Sequence, residues 1–254
     1  NIGVEYQGKG HLGFWRDTFV KVEGESVAAL HEIFIHDWCD RRDEDPEEIR
    51  KYLGLPKNLR PKGVGFEKLP TLPLPVAASG TDNGWHVISR GYWNMISHAR
   101  KRVWVTSPYL VPGAPLMYAL SNAALSGVDV RILMPSSKDH FLVFWGSRSN
   151  IEPLLRSGVR IFQYQKGFVH TKSIVADDDI ASVGTCNMDV RSLEINFENQ
   201  LFIYDNGIAE QFAKQFEEDT AEDVCREITL DEWQKRPKMH KLLESFGRLY
   251  SAQI

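Results

Sequence analysis

Along this chain the spacing of apolar residues changes period several times, and each change marks a predicted element. Residues 15–22 alternate well enough for a strand. From Gly24 the period becomes helical, with Val27, Leu30, Ile33, Phe34 and Trp38 on one face. Charged residues and then Pro and Gly dominate 40–75, which predicts a connector carrying one short helix at 46–53. Beyond it, short apolar runs alternate with longer helical patterns: strand 75–79, helix 84–100, strand 102–107, helix 115–126, strand 128–135, helix 138–157 and strand 159–164. Alternation of this kind predicts an α/β fold with a largely parallel sheet covered by helices. A strand around 169–176 and another at 196–204 follow, then Gly207 and a helix with Phe212, Ala213 and Phe216 on one side. That strand-then-helix order echoes 15–38, the trace a duplicated half-domain would leave.

Composition narrows the class without naming a function. With 254 residues, 43% hydrophobic and 25% charged, the chain has the content of an ordinary globular protein of one or two cores. A net charge of −4 supplies no basic field, so nucleic acid is not an expected partner. Cys39, Cys186 and Cys225 fit neither a disulfide framework nor a zinc site and point to a reducing compartment. No window approaches 18 uninterrupted apolar residues, so the chain is not expected to span a membrane by itself. The run 231–250 mixes Lys235, Arg236, Lys238, Lys241 and Arg248 with Leu242, Leu243, Phe246, Leu249 and Tyr250. It reads either as a basic amphipathic helix on an anionic bilayer or, as is commoner, as a terminal helix packed on its own domain with a solvated charged face. Phe141, Phe144 and Trp145 read as core or pocket lining.

The chemistry concentrates in 169–198. His170, Lys172, Asp177, Gly184 and Asn187 form the pattern HxK, four residues, D, six residues, GxxN. Five fixed residue types over about 240 starting points match by accident roughly once in ten thousand sequences. On a strand, His170 and Lys172 project from one face about 6.6 Å apart, so one phosphate could touch both. An imidazole can attack phosphorus or carry a proton at neutral pH, and an ammonium beside it offsets phosphodiester charge. Thr185 and Asn187 repeat the two-residue spacing and offer neutral donors, with Gly184 letting the backbone come close. No metal or cofactor is called for, and there is no GxSxG elbow, no GxxxxGK[ST] loop and no paired CxxC.

The same residues match the HKD signature of the phospholipase D superfamily. The segments SPYLVP, ALSGVDVRILMP, GVRIFQYQKGFVHTK, ASVGTCNMDVRSLEINFENQLFIYD, NIGVEYQG and WRDTFVKVEGESV resemble bacterial cardiolipin synthase over nearly the whole chain. The resemblance implies a phospholipase D-like fold with a mixed, largely parallel sheet flanked by helices. It divides the chain into 1–40, the tail of a first such domain, 41–75, the connector, and 76–254, the second domain. Asn1 would then close a first HKD motif, the chain would be roughly the C-terminal half or more of a longer protein, and that protein would sit at the cell membrane through N-terminal helices, its catalytic part on the cytoplasmic side.

The family pairs two HKD histidines across a cleft, one forming a phosphohistidine and the other moving protons. One motif is therefore half a site, completed by the missing half or by a second chain, and His170 is open to either role. By resemblance the catalytic set is His170, Lys172 and Asp177, with Asp177 expected to give structural support from its turn-like ADDDIA. Lys172, Thr185 and Asn187 would hold phosphate oxygens. Glu198 would hydrogen-bond the other nitrogen of His170, while Asp17 and Asn1 belong with the absent histidine. His140 ranks first among the remaining histidines, in a segment resembling one that lines the family's cleft. The implied reaction makes cardiolipin from two phosphatidylglycerol molecules, at a membrane surface. The alternatives are a phosphodiester hydrolase of the same superfamily, acting on phospholipid or nucleic acid, and an inactive half-enzyme.

Overall fold

The computed structural model describes residues 3–10, 12–52, 54, 74–81 and 84–250. Eight strands among them form one sheet: β2 (Val76–Ser79), β3 (Arg102–Thr106), β5 (Asp129–Pro135), β6 (Arg160–Tyr164), β8 (Ser173–Ala176), β9 (Ile180–Gly184), β11 (Glu198–Tyr204) and β12 (Cys225–Ile228). Their spatial order is β12-β6-β5-β3-β8-β9-β11-β2. The expected mixed sheet is present, but the expectation that it is largely parallel needs correction. Within this sheet only β3-β5 and β5-β6 pair in parallel, and the other five pairings are antiparallel. The βα alternation ends at β6, and the strands after it form hairpin and edge pairings that need no crossover helix.

Side chains alternate across the sheet and so divide the core. Val103 and Val105 of β3 face one cluster with Ile132, Ile161 and Ile174, covered by α3 (Val87–His98), α4 (Gly113–Leu125), α6 (Ile151–Arg156) and α9 (Leu230–Gln234). Trp104 points to the opposite face and joins Leu133, Phe162 and Val175 beneath α8 (Asn206–Asp219), whose Ala213 and Phe216 pack there. Asp205 starts α8 by accepting from the Ile208 amide at 2.8 Å. The helix predicted at 138–157 is two helices, α5 (Phe141–Ser149) and α6, because the chain turns at Asn150, whose side-chain amide donates to the Leu110 carbonyl at 2.9 Å. Pro153 fits the first turn of α6, where its missing N–H costs no hydrogen bond.

The N-terminal segment lies against the second half of the chain. A 3-10 turn (Val4–Gln7) leads to β1 (Trp15–Arg16), which pairs in parallel with β7 (Phe168–Val169). The strand expected at 15–22 is thus two residues long. Arg16 anchors it, with Nε 3.0 Å from Asp219 Oδ1 and a second nitrogen 3.0 Å from Oδ2. The helix expected after Gly24 is α1 (Glu25–Arg42), although it buries Ile35 and Cys39 and leaves Phe34 and Trp38 largely exposed. The short connector helix is α2 (Pro46–Tyr52), and most of the remaining connector lies outside the described residues.

Candidate active site

The catalytic candidates gather at one edge of the sheet, where strands begin or end. Ser173 at the start of β8 opposes both Thr106 at the end of β3 and Val183 in β9, and Gly184 opposes Gln200 in β11. The antiparallel β8-β9 pair therefore sets residues 170–172 beside 184–187, and the Gly184 amide donates to the Lys172 carbonyl at 3.3 Å. The parallel strands β3 and β5 also end at this edge, where open α/β sheets commonly hold ligands. A Cβ at Gly184 would overlap the Asn199 carbonyl and Gln200 Oε1, so the close approach requires glycine.

The strand expected around 169–176 is broken at 170–172, between β7 and β8 (Ser173–Ala176), and His170 in that break is fixed by the N-terminal segment. Its amide donates to the Arg16 carbonyl at 2.8 Å, which carries the β1-β7 pairing one step further and brings Asp17 to the imidazole. Nδ1 lies 3.2 Å from Asp17 Oδ2 and 3.2 Å from the Tyr6 hydroxyl. Ring centroids of Trp15 at 5.0 Å, Tyr6 at 5.8 Å and Phe168 at 6.3 Å surround it. Among the described residues Nε2 has no hydrogen-bond partner. Burial raises the Asp17 pKa, but the bonds from His170 and the Thr18 amide, with the Lys172 charge, more than offset it and hold the carboxyl below its ordinary value. Ionised Asp17 thus favours the tautomer with hydrogen on Nδ1, leaving the Nε2 lone pair available.

Lys172 is 7% exposed and donates to the His170 carbonyl at 2.5 Å. Burial pushes its pKa down to about 8, against the attraction of Asp17, Glu198, Asp189 and Asp139. Thr185 is tied to β11: its hydroxyl accepts from the Asn199 amide at 3.0 Å and its own amide donates to the Asn199 carbonyl at 2.9 Å. Asn187 donates to Ser192 Oγ at 3.1 Å, and its Oδ1 is buried without a partner among the described residues. Asp189 organises this corner as N-cap of α7 (Val190–Glu194), accepting from the Ser192 amide at 2.7 Å.

Beyond Asn187 a cleft of about 450 Å³ runs between Asn187 and Asp189 on one side and Tyr109, His140, Phe141 and Leu142 on the other. Tyr109 donates to Asp139 at 2.5 Å, and burial with that bond pushes its pKa well above the ordinary value, so it remains a neutral donor. Among the described residues no group of three or more His, Cys, Asp and Glu is arranged to hold a metal.

Two of the sequence expectations need correction. The carboxylate on His170 is Asp17 and not Glu198, because the N-terminal strand docks on β7. The Glu198 carboxylate instead meets Asn196 at 3.3 Å, and burial pushes its pKa up against hydrogen bonds from Thr185 and Asn196. Asp177, counted with the catalytic set, sits at the opposite end of β8 in a left-handed turn with φ 51°. Its carboxylate accepts from the amides of Arg100, Lys101 and Arg102 at 2.7–3.1 Å, as its turn context suggested, and it cannot reach the edge where His170 lies. Asn1 lies outside the described residues. His140 lines the cleft, as its segment suggested, with its side chain largely exposed. Sequence reasoning missed Tyr6, Trp15, Tyr109 and Asp189. Only Asp189 left a local signal, the Asp three residues before Ser192 that an N-cap requires.

Comparisons with known proteins converge on one family. The family model described as cardiolipin synthase, PLD-like domain, matches residues 92–220. Cardiolipin synthase 1 of Staphylococcus aureus (strain COL) is 41% identical over 252 residues, 99% of this chain and 49% of the relative. Cardiolipin synthase of Clostridium perfringens (strain 13 / Type A) is 40% identical over 255 residues, 99% of this chain and 52% of the relative. The chain spans about half the length of the curated relatives it matches. Among solved structures, phosphatidylserine synthase of Haemophilus influenzae Rd KW20 matches with a TM-score of 0.54 at 16% identity, covering 71% of this chain and 46% of that one. The phospholipase D family member Nuc from Salmonella typhimurium matches with 0.51 at 21% identity, covering 61% and 99%. At these identities the solved structures speak to the fold.

Proposed function

Because the chain belongs to the cardiolipin synthase, PLD-like domain family, we propose that it carries one wall of a phosphatidyltransferase site that makes cardiolipin from two phosphatidylglycerol molecules. The observation that carries this reading is His170, with Nδ1 held by ionised Asp17, Nε2 without a partner among the described residues and the Lys172 ammonium on the His170 carbonyl. In the first step an imidazole Nε2 forms a bond to phosphorus as the bond to the headgroup oxygen breaks. A second imidazole protonates the departing glycerol. In the second step that imidazole takes the proton of a hydroxyl on another phosphatidylglycerol, whose oxygen displaces the histidine from phosphorus. Two imidazoles are needed because one cannot be the nucleophile and hold the proton on the opposite side of an in-line displacement.

His170 serves in either role through the same Nε2. Its partner histidine comes from the longer protein or from a second chain, in keeping with residues 1–40 as the tail of a first domain, 41–75 as a connector and 76–254 as the second domain. Glu198 then orients that second imidazole as Asp17 orients His170. Its support is a half-buried carboxylate near Lys172, hydrogen-bonded by neutral groups. Lys172 and Asn187 hold the phosphate oxygens as charge builds in the transition state, and Thr185 sets the backbone beside them. A phospholipid substrate supports a reaction at a cell membrane, and the family resemblance puts its catalytic part on the cytoplasmic side.

Product analysis tests the reading. Intact protein given phosphatidylglycerol should yield cardiolipin and glycerol, and His170→Ala should yield neither. Phosphatidic acid without cardiolipin would move the protein to the hydrolases.

A further inference from the structure

A helix at the end of the chain packs with the wrong side inward for an ordinary surface helix. α10 (Lys238–Leu249) lies on α5, and at the contact a Cβ on Gly247 would come within 2.6 Å of the Gly146 amide nitrogen. The residues it buries are Gly247 and Glu244, the latter only 3% exposed. Glu244 accepts from Arg148 at 3.2 Å and from Arg236 at 2.8 Å, and Arg236 reaches on to Glu152 at 2.9 Å. Both guanidinium groups stack over Trp233, at 4.3 and 4.9 Å from its ring centre. This network fixes the rotation of α10 about its axis, since turning the helix would strand buried charges.

That rotation turns an apolar ridge outward. Met239, Leu242, Phe246 and Leu249 recur at the spacing of one helical face, and they are 45–80% exposed, with Leu249 the most open. Tyr250 continues the ridge, its ring centroid 5.2 Å from that of Phe246 and tilted against it. At about 100° per residue, Lys238, Lys241 and Arg248 fall together along one flank of this ridge. Of the two sequence readings, the helix does pack on its own domain, but through its polar and small side. Its exposed surface is therefore divided lengthwise between an apolar ridge and a basic flank, where an ordinary surface helix keeps its solvated face polar throughout.

The inward side of α10 ties the helix to the segment that lines the candidate active site. His240 of α10 lies 5.2 Å from the Trp145 ring, Trp145 meets Phe141 edge-on at 6.2 Å, and Phe141 with Leu142 forms the lip of the cleft that ends at Asn187. Phe141 and Leu142 are themselves largely exposed, and the Lys138 ammonium sits 5.8 Å over the Phe141 ring. Apolar residues bordered by lysine and arginine match the layered chemistry of a bilayer surface, with acyl chains below and anionic phosphates above.

We propose that the outward face of α10, together with Phe141 and Leu142, is the surface by which the protein seats on an anionic bilayer, so that the cleft opens at headgroup level. This rests on the phosphatidyltransferase reading for the purpose of the contact, though its own observations are those of α10. Seating requires no unfolding, because the polar side of α10 already has its partners.

The test places an environment-sensitive fluorophore on Phe246→Cys in the intact, otherwise cysteine-free protein. With vesicles of phosphatidylcholine and phosphatidylglycerol carrying brominated acyl chains, the label should shift blue and be quenched, and more strongly than with phosphatidylcholine alone. The double variant Leu242→Asp, Phe246→Asp should turn over phosphatidylglycerol in vesicles at least tenfold more slowly while matching wild type on dispersed short-chain phosphatidylglycerol. Active protein whose label remains in water, or is quenched equally by both vesicle types, overturns the proposal and leaves the catalytic reading standing. Equal slowing on both substrates, or a change in oligomeric mass in the double variant, also overturns it by making the ridge a protein interface. A label buried in lipid on protein that makes no cardiolipin sinks the catalytic reading alone.

Discussion

Replacing Lys172 should make the protein more stable and less active at once. The folded protein holds this ammonium with its pKa at about 8 instead of the ordinary 10.5, chiefly because burial removes its water. That gap corresponds to about 3 kcal/mol by which burial disfavours the charged form, net of its attraction to Asp17 and Glu198. Below pH 8 both folded and unfolded chains bind the proton, so the penalty is present in full. Between 8 and 10.5 the unfolded chain keeps a proton that the folded one has released, and stability contributed by this group rises with pH. Lys172→Met keeps the length of the side chain and removes the penalty, while losing the bond to the His170 carbonyl. A gain of about 1–3 kcal/mol at pH 7 is expected, which for a chain of this size raises Tm by roughly 2–10 °C. Loss of the charge that meets the phosphate should lower kcat by about 10²–10³. The assay is thermal unfolding of wild type and variant from pH 6.5 to 10, with turnover measured alongside; the difference in Tm should shrink as pH rises past 8. A variant less stable than wild type at pH 7, a difference that grows with pH, or retained turnover would refute the assignment of Lys172 as a buried, charged phosphate ligand.

Four further outcomes follow from the geometry. Asp17→Asn should lower kcat by about 10–100-fold with KM little changed, since a charged hydrogen bond to Nδ1 contributes about 1.5–3 kcal/mol; steady-state kinetics checks it. Asp177→Ala should destabilise the fold by about 1–3 kcal/mol through unpaired amides at Arg100, Lys101 and Arg102, seen as a lower Tm, yet leave kcat per folded molecule unchanged; a loss of kcat would return Asp177 to the reaction. Glu244→Gln should cost about 3–5 kcal/mol in a urea titration, because Arg148 and Arg236 lose their buried counter-charge. Gly247→Ala should cost about 1–3 kcal/mol by forcing α10 away from Gly146, again read from the urea midpoint.

How much of this was legible in the sequence depends on whether the governing contacts are local. The strands and helices between 75 and 164 lie close to where the apolar periods put them, because each buries a continuous apolar stripe. Strand pairing was not readable in the same way: β8, β9 and β11 join as antiparallel neighbours on grounds of register and turn geometry, which periodicity does not encode. Within the site, His170, Lys172, Gly184 and Asn187 were recognisable from spacing because one hairpin brings them together. The Asp17–His170 pair joins residues 153 positions apart, so only folding reveals that the N-terminal acid, and not Glu198, meets this histidine. α10 was identified as amphipathic, but which face it would bury depended on Gly146, Arg148 and Trp233, on other elements.

The central claim is that a phosphatidyl group passes through this site to an alcohol, and headgroup exchange tests it most directly. Intact protein incubated with phosphatidylglycerol and labelled glycerol should incorporate label into phosphatidylglycerol, because reversal of the first step returns the phosphatidyl group from the enzyme to glycerol. Exchange should vanish in His170→Ala and persist in Asp177→Ala. Release of phosphatidic acid without exchange, or exchange that survives His170→Ala, would contradict the account.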